Sequence, residues 1–199
     1  MERRRFLKAS AATGVALSGL TGVMHASASV SKMPASTKFK LKYAPHFGMF
    51  KNSAGEDLID QIKYMADQGF TAFEDNGMMK RDVSMQNKIG ETLAKLNMTM
   101  GVFVAYKDFK NPTLARGKEE DRKEFLKQIE ASVSVAKRVN AKWMTVVPGT
   151  VDLKLVEDYQ TANVIESLKQ ASAILEPHGI VMVLEPKMHL YNPLDKESC

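Results

Sequence analysis

The sequence predicts an α/β fold in which parallel strands alternate with helices. Five short segments rich in apolar residues each have strand character: residues 41–45, 70–74, 98–106, 142–147 and 180–185. Segments with helical spacing of apolar residues separate them, and strict alternation favours parallel strands with right-handed crossovers. The pattern leaves open whether the sheet is doubly wound or closed into a barrel. No Gly-rich phosphate loop follows the first strand, which argues against a Rossmann domain.

The helices have recognisable ends. Ser53 and Glu56 have the spacing of a capping box and predict the start of the first helix. The predicted helix stops are Gly69, Asn97, Asn140 and the pair Pro177 and Gly179. Residues 107–119 are polar and predict a long loop, the kind of segment in which barrels build their sites. The last strand is almost purely apolar, so we expect it to be buried on both faces.

The first 28 residues have the features of an export leader. Arg3 and Arg4 begin a twin-arginine pattern, a mildly apolar run covers residues 9–24, and small residues end at Ala28 where a signal peptidase would cut. The run is too rich in small residues for a stable membrane span. We therefore expect a twin-arginine signal peptide at residues 1–28, a linker at 29–38, and a protein that is periplasmic or otherwise exported by the twin-arginine pathway.

Charge and cysteine content exclude some partners. The net charge is +5, of which the leader contributes +3, so the remaining chain carries only +2. This weak charge gives no electrostatic case for binding nucleic acid. The single cysteine, Cys199, excludes a disulfide within the chain, so the fold must depend on its core.

Polar residues follow several predicted strands. They are His46 after the first strand, Glu74, Asp75 and Asn76 after the second, and Glu185 after the fifth. The carboxyl ends of parallel strands form the catalytic face of both barrels and open sheets. Glu185 shares one side of an apolar strand with Val181 and Val183, where a partly desolvated carboxylate is costly unless it is paired, bound to a metal or used in catalysis. The alternative is a strand-end residue that simply reaches solvent.

Three segments resemble a known family. Val183-Leu184-Glu185-Pro186, followed by His189, resembles the fifth-strand signature of hydroxypyruvate isomerases and of the wider xylose isomerase-like TIM barrel family. Phe73-Glu74 is similar to the second strand of that family, and residues 42–50 resemble the first. The likeness covers residues 39–189 and implies a (β/α)8 TIM barrel, of which about five β/α units are present here.

The resemblance also implies a chemistry. Members of this family interconvert aldoses and ketoses through an enediolate, often with a divalent metal nearby. By resemblance, Glu185 is the catalytic acid and base and a candidate ligand for Mg, Mn or Zn. His46, Glu74, Lys187 and His189 are then the candidate substrate-binding residues. The expected substrate is a small carbohydrate or a hydroxy-keto acid.

The later strands of the family have no counterpart before Cys199. A closed barrel needs about 250 residues, whereas removal of the leader would leave 171 of the 199 residues. We therefore expect residues 39–199 to form a partial barrel that is inactive by itself. Open strand edges would favour self-association.

Other functions fit the same scaffold. A sugar epimerase, a dehydratase or a non-catalytic carbohydrate-binding protein are the alternatives. An endonuclease of abasic sites is disfavoured by the weak charge, by the small number of histidines and by the predicted export. Exchange of substrate protons with solvent would distinguish an isomerase from a binding protein.

Overall fold

Parallel strands alternate with helices through residues 38–185, the part of the chain that the computed structural model describes. The helices are α1 Lys51–Ala54, α2 Leu58–Asp67, α3 Val83–Lys95, α4 Glu119–Val139 and α5 Glu157–Leu175. The strands are β1 Ala72–Phe73, β2 Thr99–Met100, β3 Val104–Asp108, β4 Trp143–Pro148 and β5 Val181–Leu184. Lys187, His189 and the predicted leader at residues 1–28 lie outside the described residues. So does the predicted linker, apart from Lys38.

All strand pairs are parallel, and neighbours in space are neighbours in sequence. β1 pairs with β2, and β3, β4 and β5 form a second ladder in that order. Backbone hydrogen bonds also connect the segment between the two ladders to the strands on either side. The N–H of Thr145 donates to the carbonyl of Phe103 at 2.8 Å, and the N–H of Asp75 donates to the carbonyl of Val102 at 3.4 Å. This sequential order is that of a (β/α) barrel. The predicted α/β class and the parallel strands are therefore confirmed as an incomplete barrel.

Two strand predictions are wrong in their details. Residues 41–45 form no strand. Backbone pairing with the next strand consists of an isolated parallel bridge between His46 and Glu74 and a 3.1 Å bond from the N–H of Glu74 to the carbonyl of Pro45. Pro45 has no N–H to extend a ladder. The predicted third strand is divided into β2 and β3, and β3 continues to Asp108 into the predicted loop.

The predicted capping box is also wrong. Ser53 lies within α1, which ends at Gly55 with φ of 83°. Asp57 instead caps α2, because its side chain accepts hydrogen bonds from the N–H groups of Ile59 and Asp60 at 2.8 and 3.0 Å. Helix α2 therefore starts after Asp57 and not at Ser53.

The predicted helix stops are confirmed. Asn97 and Asn140 have φ values of 56° and 52°, and Gly69 and Gly179 have 93° and 61°. A residue in this left-handed conformation ends a helix because it turns the chain away from the helix axis. Among residues 38–185, no helix is long and apolar enough to cross a membrane.

The core lies between the strands and the helices. Its fully buried side chains include Ile62 of α2, Phe73 of β1, Phe125 of α4 and Met144 of β4. The expectation that the last strand is buried on both faces is wrong, because the side chains of Val181, Val183 and Leu184 in β5 are 54%, 40% and 45% exposed. Within the described part of the chain β5 pairs only with β4, so its other edge lacks a covering strand.

Candidate active site

The two faces of the sheet can be distinguished at β4. The hydroxyl of Ser132 in α4 lies 3.2 Å from the sulfur of Met144, so Met144 faces the helices. Side chains alternate along a strand, and Thr145 and Val147 therefore lie on the opposite face. We call this opposite face, which corresponds to the inside of the barrel, the inner face.

Glu185 lies on the inner face at the carboxyl end of β5. The register pairs Thr145 with Val183 and Val146 with Leu184, and the N–H of Glu185 continues the ladder to the carbonyl of Val146 at 3.0 Å. Glu185 therefore follows Val183 on the face that carries Val147. Its side chain is exposed, so the expectation of a partly desolvated carboxylate is wrong. The cause is the same as for the exposure of β5, whose second edge has no partner strand within the described residues.

His46 and Glu74 are brought together by the parallel bridge between them. Paired residues of a parallel ladder point to the same face. Glu74 is half-buried and His46 is exposed, with its Nδ1 placed 3.1 Å from the carbonyl oxygen of Phe47. A Cβ at Gly101 would lie 3.7 Å from the Cβ of Glu74 and only 3.1 Å from the carbonyl of Phe73. The glycine therefore permits close approach of the backbone beneath Glu74.

Asp75 and Arg81 support this end of β1 and were not predicted as a pair. Asp75 is 4% exposed. Its carboxylate accepts from the N–H of Gly77 at 2.9 Å, forms an ion pair with Nε of Arg81 and accepts a second bond from the same guanidinium at 3.1 Å. The guanidinium carbon of Arg81 lies 4.7 Å from the ring centroid of Phe47, the residue after His46. The pair therefore fixes the loops on which His46 and Glu74 stand.

Lys107 is a further polar residue of the inner face that the sequence did not reveal. The register pairs Val104 with Thr145 but Tyr106 with Val146, so an extra residue is inserted at Ala105. Lys107 is consequently paired with Val147. It is exposed, and its ammonium lies 5.6 Å from the ring centroid of Phe109. No periodic pattern in the sequence signals such a bulge.

The turn after Lys107 is held by Asp108. Its carboxylate accepts hydrogen bonds from the N–H groups of Lys110 and Asn111 at 2.8 and 2.9 Å and from the side-chain amide of Asn111. Burial alone would raise the pKa of Asp108, but these hydrogen bonds together lower it below its ordinary value. The ionised carboxylate therefore stabilises the turn.

Tyr106 faces away from the site. Its ring packs edge to face on Phe125 of α4, with the centroids 4.9 Å apart, and its hydroxyl donates to the Oγ1 of Thr113 at 2.9 Å. Burial raises the pKa of Tyr106, the hydrogen bond to Thr113 opposes this effect, and nearby carboxylates add to it. Tyr106 therefore anchors β3 to the helix layer.

An apolar groove of about 680 Å³ lies along α5 but is not the candidate active site. Its lining includes Val151, Leu155, Val164, Ile165, Leu168 and Leu184. Leu184 pairs with Val146 and points toward the helices, whereas Glu185 follows on the inner face. The groove and the candidate catalytic carboxylate thus lie on opposite sides of the sheet.

The described residues do not form a metal site. Between Lys38 and Glu185, no cluster of three or more His, Cys, Asp or Glu side chains could hold an ion. Glu185 is therefore not part of such a cluster within these residues.

These features define an α/β barrel with polar residues at the carboxyl ends of its strands. Residues 62–195 match the family described as Xylose isomerase-like TIM barrel, which is about two thirds of the chain. The chain belongs to this family. The predicted TIM barrel class is thereby confirmed, while the resemblance to hydroxypyruvate isomerases in particular remains a proposal. No curated protein sequence matches the chain.

Several solved structures share the fold. The IolI protein with a bound zinc atom is 15% identical, with a TM-score of 0.55 over 72% of this chain and 51% of that chain. D-psicose 3-epimerase with D-tagatose from Clostridium cellulolyticum H10 is 12% identical, with a TM-score of 0.56 over 72% and 52%. The apo form of the 3-keto-D-glucoside 4-epimerase YcjR from E. coli is 21% identical, with a TM-score of 0.55 over 74% and 56%. The chain thus spans about half the length of these structures.

Proposed function

We propose that this chain contributes to an isomerase that interconverts an aldose and a ketose, or the two forms of a hydroxy-keto acid such as hydroxypyruvate. The observation that carries the proposal is the placement of Glu185 on the inner face, one residue beyond the last paired residue of β5. Among residues 38–185 no ion pair engages its carboxylate, so packing of the described fold does not account for it.

The proposed reaction needs one carboxylate that moves a proton between adjacent carbons. Glu185 removes a proton from the carbon next to the carbonyl, and the released electron pair forms an enediolate. The same carboxyl group then returns the proton to the former carbonyl carbon while a hydroxyl proton passes to the other oxygen. This is general acid and base catalysis, which typically contributes about 10²–10⁴-fold.

Glu74 and His46 are proposed to bind the hydroxyl groups of the substrate. Their parallel bridge places both at the carboxyl end of β1, at the same end of the barrel as Glu185. A half-buried carboxylate and an exposed imidazole are suitable acceptors and donors for sugar hydroxyls. Lys187 and His189, which lie outside the described residues, stay proposals from the family resemblance alone. A divalent metal near Glu185 is likewise a proposal from the resemblance.

The product distinguishes the proposed isomerase from its alternatives. Because the chain spans about half of its structural neighbours, the assay uses residues 38–185 joined to the carboxyl-terminal strands of a family relative. Incubation with hydroxypyruvate should yield its aldehyde isomer by NMR. Hydroxypyruvate has no stereocentre, so an epimerase would leave it unchanged but would invert a stereocentre of a chiral ketose and keep its carbonyl in place, whereas a binding protein would leave both substrates unchanged. Either of these two results would reject the isomerase.

We also propose that the chain is exported by the twin-arginine pathway. The support is the order of Arg3, Arg4, the apolar run and Ala28 in the sequence. Lysine at both Arg3 and Arg4 should block export, because the pathway reads the arginine pair itself. Fractionation of cells that express the full chain measures this. Undiminished export of the double variant would reject the assignment.

A further inference from the structure

We infer that Lys107 binds the carboxylate of a small 2-keto acid in the same site as Glu185. This inference deepens the proposed function and rests on it for the class of substrate. Lys107 lies on β3 and Glu185 directly follows β5, with β4 between them. Neighbouring strands are about 4.8 Å apart, so the two Cα atoms are separated by about 10 Å. Long side chains from such positions can converge on one small molecule.

The β-bulge at Ala105 places Lys107 on the inner face. Before the bulge Val104 is opposite Thr145, and after it Tyr106 is opposite Val146. Uninterrupted pairing would put Tyr106 opposite Val147 and turn Lys107 toward the helices. A shift of one residue moves every following side chain to the other face, and bulges are known to re-aim side chains next to active sites.

Contacts on the helix side of β3 stabilise this shifted register. Tyr106 is buried against Phe125, and its hydroxyl donates to Thr113. The next residue but one, Asp108, holds the turn that follows through the N–H groups of Lys110 and Asn111. Lys107 is therefore fixed at its backbone from both sides while its side chain remains exposed.

The ammonium of Lys107 has no carboxylate partner within residues 38–185. Asp108, the nearest acidic residue in sequence, is on the opposite face and is engaged by its own turn. The described contact of Lys107 is with the ring of Phe109, at 5.6 Å. A lysine ammonium is a compact point charge with three donors, which suits a carboxylate. Hydrogen bonds to charged groups are also stronger than neutral ones.

The test compares a charged and a neutral ligand on the full 199-residue chain. Hydroxypyruvate and dihydroxyacetone are both three-carbon ketones, but only the first carries a carboxylate. We expect the parent to bind hydroxypyruvate at least about tenfold more tightly by calorimetry, as one charge-assisted hydrogen bond implies. Lys107→Met should remove this preference without changing dihydroxyacetone binding, and Lys107→Arg should restore most of it.

Lys110→Met is the matched control, since Lys110 is an exposed lysine in the turn that follows β3. Its preference for hydroxypyruvate should equal that of the parent. Equal binding of the two ligands by the parent, a preference that survives Lys107→Met, or a loss caused equally by Lys110→Met would each overturn the inference. If the proposed isomerase function is wrong and this inference is right, the 199-residue chain still shows a preference for hydroxypyruvate that depends on Lys107. The completed barrel then converts no substrate.

Discussion

Asp75 at the end of β1 is held by two hydrogen bonds from the guanidinium of Arg81, and the same guanidinium covers the ring of Phe47. The Asp75 side chain is 5% exposed and that of Arg81 is 22% exposed. The pair thus joins the loop that carries His46 to the loop that carries Glu74. Its removal should affect both stability and the geometry of the candidate site.

Arg81→Met should destabilise the fold strongly. Loss of one partner leaves the buried Asp75 carboxylate without its cation, a change that typically costs about 3 kcal/mol. Lys95→Met is the control, because Lys95 forms an exposed pair with Glu91 at 3.9 Å and should change stability by less than about 0.5 kcal/mol. Urea unfolding of both variants measures the difference. Similar midpoints for the two variants would show that the Asp75 and Arg81 pair is unimportant.

Acid should destabilise the protein partly through Asp108. Its pKa is lower in the folded protein than in the unfolded chain, so its contribution is fully present above the unfolded value and is lost as pH falls through the folded one. Asp108→Asn cannot titrate and should melt with a shallower dependence on pH below about 4. Melting temperatures between pH 2.5 and 6 measure this. Parallel curves for parent and variant would contradict the role given to Asp108.

The open edge of β5 should promote self-association. Val181 and Val183 are exposed, and within residues 38–185 β5 has a strand on one side only. Val183→Lys places a charge on this strand, a change that natural edge strands use to prevent pairing. Sedimentation velocity should show less association for this variant than for Val83→Lys, a control at an exposed valine of α3. Identical association of both variants would exclude β5 as the contact.

Local signals predicted much of the fold. Asn97 and Asn140 end their helices in the left-handed conformation that the sequence suggests, and β4 occupies almost the predicted residues. These features depend on a few neighbouring residues. Alternation along β5 also placed Glu185 correctly on the side of Val183.

One error is a choice between two nearby signals, since Ser53 lies inside α1, which ends at Gly55, and Asp57 therefore caps α2. The other errors arise where distant parts of the chain decide. The position of Lys107 depends on the register between β3 and β4, which no local pattern encodes. The exposure of Glu185 depends on what covers β5 rather than on β5 itself.

Uptake of solvent deuterium measures most directly the role proposed for Glu185, the transfer of a proton between adjacent carbons. In D₂O, the barrel completed with strands of a family relative should incorporate deuterium into hydroxypyruvate. Glu185→Gln should slow this uptake by at least about a hundredfold with unchanged melting. Glu176→Gln, an exposed glutamate before β5, should have no effect. Uptake by Glu185→Gln within a few-fold of the parent would contradict proton transfer by Glu185.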